Sequence, residues 1–175
     1  AGQVVQFGYD TAGNLTTVTD PADKITSYSY DANGNVLTTT DANNNVVTRT
    51  YGAKNELLTE TRTGSNAAGA AVLHTTRYVY DAENHLRFAI SAEGNVVRND
   101  YDAQGQLYWQ VEFPGSRYDL SGLTATQAPT EAQMIAWTES VAGPSATNRK
   151  SVVIRYSTFD ARDNVVGVRQ YAIAD

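Results

Sequence analysis

The sequence contains no cysteine. Disulfide staples and thiolate metal sites are therefore excluded, and the redox compartment stays open. No hydrophobic run is long enough to span a bilayer, and no signal peptide opens the chain. The sequence instead starts partway through a repeated motif, at Phe7-Gly8-Tyr9-Asp10, so we expect a segment of a longer protein. The missing leader then carries no information about secretion. Basic clusters are also lacking: none is longer than Arg149-Lys150, and the net charge is −6. A nucleic-acid binder needs a basic footprint, so that class is set aside. The apolar share is low, at 41%. In its place the chain has 21 Thr and 11 Tyr, both strand-favouring residues. Its 175 residues suffice for one domain.

A repeat organises what is present. Tyr-Asp corners stand at Tyr9-Asp10, Tyr30-Asp31, Tyr51-Gly52, Tyr80-Asp81, Tyr101-Asp102 and Phe159-Asp160. Their spacing is 21 residues, lengthened twice by insertions of 8 and 37 residues. Weaker corners lie between them, at Asp20-Pro21-Ala22-Asp23, Asp41-Ala42-Asn43-Asn44 and Ser91-Ala92-Glu93-Gly94. An Asp suits the first position of a type I turn, and a residue of positive φ closes the hairpin loop. The fourth position of the nine corners reads Gly13, Asp23, Gly34, Asn44, Asn55, Asn84, Gly94, Gly105 and Asp163. Only Gly, Asn and Asp appear, the residues that enter the left-handed region at least cost. A corner every ten or eleven residues leaves room for a short strand plus a turn.

This pattern predicts an all-β fold, an antiparallel meander forming a curved sheet. Strands are expected at 3–9, 14–19, 25–30, 35–40, 46–51, 56–62, 73–80, 86–91, 96–101, 106–112, 151–159 and 165–172. The insertion at 63–72, rich in Gly, Ala, Ser and Asn, reads as a flexible hairpin loop between paired strands. The insertion at 113–150 contains Thr130-Glu131-Ala132-Gln133 after Pro129, which fits a capping box. A short amphipathic helix is expected over 130–141, with Met134, Trp137 and Val141 on one face and Ile135 beside them, stopping near Gly143-Pro144. Its Met134/Trp137 face is expected to cover apolar sheet surface or plug an open end, against the alternative of docking a partner. Residues at the same place after each corner form rows. One row is Leu15, Val36, Leu57, Leu86, Leu107 and Val165. Two residues further on stand Thr17, Thr38, Thr59, Phe88, Trp109 and Gly167, and Val18, Leu37, Leu58, Arg87, Tyr108 and Val166 are expected on the opposite face. Both faces are semi-polar, which suits a sheet held by its ladder and its side-chain rows, without a thick core.

Tyr9-Asp10-Thr11-Ala12-Gly13-Asn14-Leu15, with Thr19-Asp20-Pro21 half a repeat later, resembles the YD (or Rhs) repeat. The likeness covers residues 1–112 and 151–175, and departs from the pattern at Gly52, at Phe159 and in the two insertions. Proteins of this kind include shell subunits of insecticidal toxin complexes, Rhs polymorphic toxins, wall-associated bacterial proteins and teneurins. The resemblance implies a β-ribbon that spirals into a hollow shell, enclosing a toxic segment or supporting adhesion. No toxin domain and no counterpart of the family's self-cleaving aspartyl core motif stands in this chain. The whole chain, 1–175, is expected to be one repeat array serving as a non-catalytic wall segment of a bacterial secreted or surface protein. Its expected partners are neighbouring repeats, an enclosed toxin segment or a cell-surface glycan or protein, and its own end strands in self-association.

Other sites have competing readings. The corner residues Asp10, Gly13, Asp31, Gly34, Asp41, Asn44, Asn55, Asp81, Asn84, Gly94, Asp102, Gly105, Asp160 and Asp163 are structural turn residues. Asp31-Ala32-Asn33-Gly34-Asn35 faintly matches a calcium loop, yet turn formation accounts for its Asp and Asn without an ion. No cofactor is expected. The repeat aromatics Tyr9, Tyr30, Tyr51, Tyr80, Tyr101 and Phe159 read as sheet glue. Tyr28, Tyr78, Tyr108 and Trp109 are candidates for stacking on sugars. His74 and His85 offer a general base or a metal pair against the simpler reading of surface histidines. Asn14-Leu15-Thr16 is a formal glycosylation acceptor in a corner, and it reads as turn chemistry.

Overall fold

The computed structural model describes residues 4–65, 69, 71–142, 152–159 and 165–173. Twelve strands form one sheet in chain order. They are β1 (Gln6–Tyr9), β2 (Leu15–Thr19), β3 (Ile25–Tyr30), β4 (Val36–Thr40), β5 (Val46–Tyr51), β6 (Leu57–Ser65), β7 (Ala71–Tyr80), β8 (Leu86–Ile90), β9 (Val96–Tyr101), β10 (Leu107–Glu112), β11 (Val152–Phe159) and β12 (Val165–Ile173). A helix, α1 (Glu131–Ala142), stands between β10 and β11. The residues group into two compact units, Ala1–Thr75 and Thr76–Asp175.

The corners are built alike. Asp10 N donates to Asn14 O at 2.9 Å and Gly13 N to Asp10 O at 3.1 Å, a turn closed by one left-handed residue. Gly13, Asp23, Gly34, Asn44, Asn55, Asn84, Gly94 and Gly105 all lie at positive φ, from 59° to 88°. Asp160 to Asp163 fall outside the described residues. The ladder slips by one residue beside each described Tyr-Asp corner: Tyr9 faces Leu15 but Gly8 faces Thr17, and Tyr30 faces Val36 but Ser29 faces Thr38. The pairings β2–β3, β4–β5 and β8–β9 across the weaker corners have no slip. Each slip is a bulge that re-aims the side chains beside it. A bulge is what a hairpin loop closed by a left-handed residue implies at these corners, and at Tyr108 it breaks the two-residue alternation used for the rows. Tyr108 and Trp109, expected on opposite faces, have ring centroids 5.5 Å apart.

The strands flanking the first insertion run further into it than expected. β6 runs on to Ser65 and β7 begins at Ala71, so much of the segment lengthens a hairpin. Its Thr and Val residues are strand formers, and their backbone groups gain partners by extending the ladder.

In the first unit the only buried described residues are Thr59, Thr61 and Thr75. Threonine hydroxyls pair across strands: Ser29 with Thr38 at 2.6 Å, Thr50 with Thr59 at 2.7 Å and Thr61 with Thr75 at 2.9 Å. Arg49 and Arg62 both reach Glu60, at 2.8 and 2.7 Å. Burial pushes the Glu60 carboxyl up, and the hydrogen bonds from Arg62 and Arg49 outweigh it and hold it below its usual value. This sheet is held by cross-strand pairs, each worth about 0.2–1 kcal/mol.

The second unit has an apolar core of Val79, Phe88, Ile90, Val96, Val111, Phe113 and Met134. The second insertion supplies the cover. Thr130 caps α1: its Oγ1 accepts from Gln133 N at 3.2 Å, and Gln133 Oε1 accepts from Thr130 N at 2.8 Å. Met134 is fully buried, with Trp137 and Val141 packed beside it. Trp137 meets Phe113 and Tyr118 edge to face, at 5.3 and 6.0 Å. Ile135 turns to solvent instead, and Thr138 is buried with its hydroxyl donated to Ile135 O at 2.8 Å. The expected stop at Gly143-Pro144 lies outside the described residues.

Polar clamps fix this cover. Arg77 is buried and donates to the carbonyls of Gln127 and Thr124 at 2.9 and 3.1 Å, and burial holds its guanidinium below its usual pKa. Arg87 donates to Asp100 at 2.7 Å, and its Nε lies 3.2 Å from Glu131 as a charge contact. Tyr118 N donates to Gly94 O at 2.8 Å. A Cβ at Gly94 would sit 2.5 Å from the Tyr118 carbonyl, so this approach requires glycine.

Candidate functional site: the repeat corners

The polar groups recur at the corners. Asp31 Oδ1 accepts from Asn33 N and Asn35 N, both at 2.9 Å, while Oδ2 accepts from Asn35 Nδ2 at 2.9 Å. Asp10 repeats this with Ala12 and Asn14, and Asp41 with Asn43 and Asn45. The carboxylate thus occupies the turn's own amides, the mechanism by which Asp favours this position. The Asn side-chain amides hold the Asp10, Asp31 and Asp41 carboxyls below their ordinary 3.8. At Ser91 a hydroxyl plays the same part toward Glu93 N and Asn95 N, both at 3.2 Å.

The departure at Gly52 has a structural reason. A Cβ there would lie 2.1 Å from Glu56 Oε1, so the Glu56 carboxylate fills the space an Asp side chain would use. It accepts from Lys54 N at 2.8 Å, as the corner Asp does elsewhere.

The tyrosines stitch successive corners. Tyr30 Oη donates to Leu15 O at 2.7 Å, Tyr51 to Val36 O at 3.0 Å and Tyr101 to Leu86 O at 3.0 Å. In each case the acceptor is fifteen residues earlier, the first residue after the preceding Tyr-Asp corner. Burial pushes the Tyr51 and Tyr101 phenols up, which keeps both hydroxyls protonated as donors. Asn55 Oδ1 accepts from Asn33 and Asn35 amides at 3.0 and 2.9 Å, a second link from corner to corner.

The stacking candidates are dispersed. Tyr28 and Tyr30 line an open groove of about 580 Å³ with Asp10, Asn14, Asp31 and Asn33. Tyr78 lies opposite Ala89 on β7, and Tyr80 faces Leu86. Tyr108 and Trp109 adjoin, with Trp109 40% exposed. His74 is exposed on β7 beside Gly64.

His85 occupies a different setting. It takes the corner position that Asn14, Asn35 and Asn45 hold elsewhere, with its Nδ1 3.1 Å from Asp81 Oδ2. Its ring stacks on Tyr101 with centroids 4.7 Å apart. Donor atoms of Asp81, Glu83 and His85 lie within 4.8 Å of one another, the one such group among the described residues. The sequence suggested His85 only together with His74, Asp81 only as a turn residue, and Glu83 not at all. The available signal was Asp-x-Glu-x-His on a single tight turn.

Three overlapping stretches, 1–25, 9–46 and 30–71, match the RHS Repeat family model. Among solved structures, the fold is shared with TcdB2-TccC3 without its hypervariable C-terminal region, at 18% identity and a TM-score of 0.60. It is shared equally with the Photorhabdus luminescens Tc holotoxin pore, at 19% identity and a TM-score of 0.60. Each likeness covers 98% of this chain and 8% of the other chain. No curated protein matches the sequence. The likeness to these structures shows a shared fold, the antiparallel β-meander. No described helix is long and apolar enough to cross a membrane.

Proposed function

We propose that this chain is a non-catalytic wall segment of a large bacterial secreted or surface RHS-repeat protein, and that the wall encloses or presents a toxin or adhesive module. The observation that carries this reading is the match over 98% of the chain to a small part of Tc-component structures. The corner chemistry fits it. The described Asp side chains at the corners cap turns, and three described Tyr hydroxyls tie one corner to the next. Such groups build a wall one strand pair at a time, and each added pair brings its own capping and stitching bonds. In this reading the whole chain acts as one array. Its partners are flanking RHS repeats, which continue the ladder, and an enclosed segment or a cell-surface glycan or protein.

Electron microscopy of the parent protein tests this. Residues 1–175 should appear as consecutive strands of a wall around enclosed density. A ribbon lying outside any shell, with nothing enclosed, overturns the reading.

A further inference from the structure

We propose that the Asp81–His85 corner binds a divalent first-row transition-metal ion of the zinc class, through Asp81, Glu83 and His85. Three arguments lead there, and none depends on the wall reading.

The donors come first. One carboxylate oxygen from Asp81, one from Glu83 and an imidazole nitrogen lie within 4.8 Å of one another. An imidazole with two carboxylates suits zinc, cobalt, nickel or copper, whereas calcium takes oxygen ligands alone. Three protein donors leave a position for water, as in open zinc sites. Ligand atoms around a tetrahedral zinc lie about 3.4 Å apart, from bonds of about 2.1 Å. Glu83 is exposed, so its side chain can close that gap without moving the backbone.

The repeat supplies a control. At the fifth corner position Asn35 and Asn45 give the Asp the same side-chain bond that His85 gives Asp81, at 2.9 and 2.7 Å. The turn therefore does not need an imidazole. The third position holds Ala12, Asn33 and Asn43 at those Asp–Asn corners, but Glu83 here. Glu also stands third at the Ser91 corner, as Glu93, but with Asn95 in fifth place; only at the Asp81 corner does it accompany an imidazole.

The ring is also held in place. It stacks on Tyr101 at 4.7 Å with the planes 23° apart. Its Nε2 lies against Gly105, where an added Cβ would be 3.0 Å away. Nδ1 is thereby directed at the carboxylates. An open cavity of about 300 Å³ adjoins the group, lined also by Arg87, Tyr101 and Asp102. Arg87 is the opposing cation, and it is already matched by Asp100 at 2.7 Å and Glu131 at 3.2 Å. Asp81, Glu83 and Asp102 leave the cavity acidic.

Calorimetric titration of the full chain with zinc chloride tests this, with far-UV circular dichroism run in parallel. We expect saturable one-site binding. His85→Asn should weaken it at least about tenfold while leaving the spectrum unchanged, because Asn is the residue that serves other corners. Glu83→Gln should weaken it as well, and His74→Asn should leave it intact. The proposal is overturned if zinc does not bind saturably. It is equally overturned if His85→Asn binds as well as the parent chain, if His74→Asn abolishes binding, or if calcium displaces the zinc.

Discussion

The first unit buries threonines and the second buries Phe88, Ile90, Val96 and Met134, although both are built on the same corner. The contrast is sharpest at one repeat position. Thr38 in β4 is half-buried and shares a hydrogen bond with Ser29, while Phe88 in β8 is completely buried under the insertion. The corner sets the strand and its bulge. It does not set whether the sheet face carries a hydroxyl ladder or a core. That depends on whether another segment folds back to exclude water, since apolar burial stabilises by about 25 cal/mol per Å² only where water is removed.

Three measurements sharpen this comparison. The largest effect should come from truncating the shared position in both units. Phe88→Ala should cost about 3–5 kcal/mol by urea denaturation, because it leaves a cavity beneath α1. Thr38→Ala should cost about 0.5–1.5 kcal/mol, the net worth of one hydrogen bond. Equal losses would mean that the two faces are not different in kind.

A smaller effect should follow from removing the stitching hydroxyl. Tyr51→Phe should cost about 1 kcal/mol. Tyr101→Phe should cost less, because the Leu86 carbonyl keeps a bond from Asn99 Nδ2 at 2.9 Å. Thermal or urea midpoints of both variants decide the order. A larger loss at Tyr101 would place the stitch's contribution in the covered core instead of the corner.

The smallest effect is acid loosening of the first unit. Its corner carboxyls at Asp10, Asp31 and Asp41 have folded values below the ordinary 3.8. Each therefore adds stability above 3.8 that is lost as pH falls through the lower folded value. Amide exchange at Asn14, Asn35 and Asn45 should be unchanged, after correction for intrinsic rates, across mildly acidic to neutral solution. It should then accelerate below 3.8. Exchange that stays protected there would show that these carboxylates do not hold the turns.

Much of the fold was legible in the sequence. The recurring corners place the strands between them, because a left-handed residue after an Asp is a local requirement of the backbone. The helix was legible from Thr130 and Gln133, whose reciprocal cap is also local. What escaped were properties of neighbours. Ile135 was expected beside the buried face, but Thr138 takes the buried place, since the shape of the sheet beneath decides which edge of a helix is covered. Tyr108 and Trp109 came together through a bulge that a strict two-residue period does not contain. The extension of β6 and β7 depended on each finding the other as a partner. The clamps from Arg77 and Arg87 join residues some fifty positions apart in sequence, and no local pattern announces them.

The amino-acid order alone determined where the backbone reverses and which residues cap each reversal, because turn preferences and Asp–amide bonds act within five residues. Tertiary structure alone decided which faces are dry, where the described part of the second insertion lies, and that Tyr101 stacks on His85. Water exclusion and side-chain convergence depend on segments meeting in space, and a linear order does not state that.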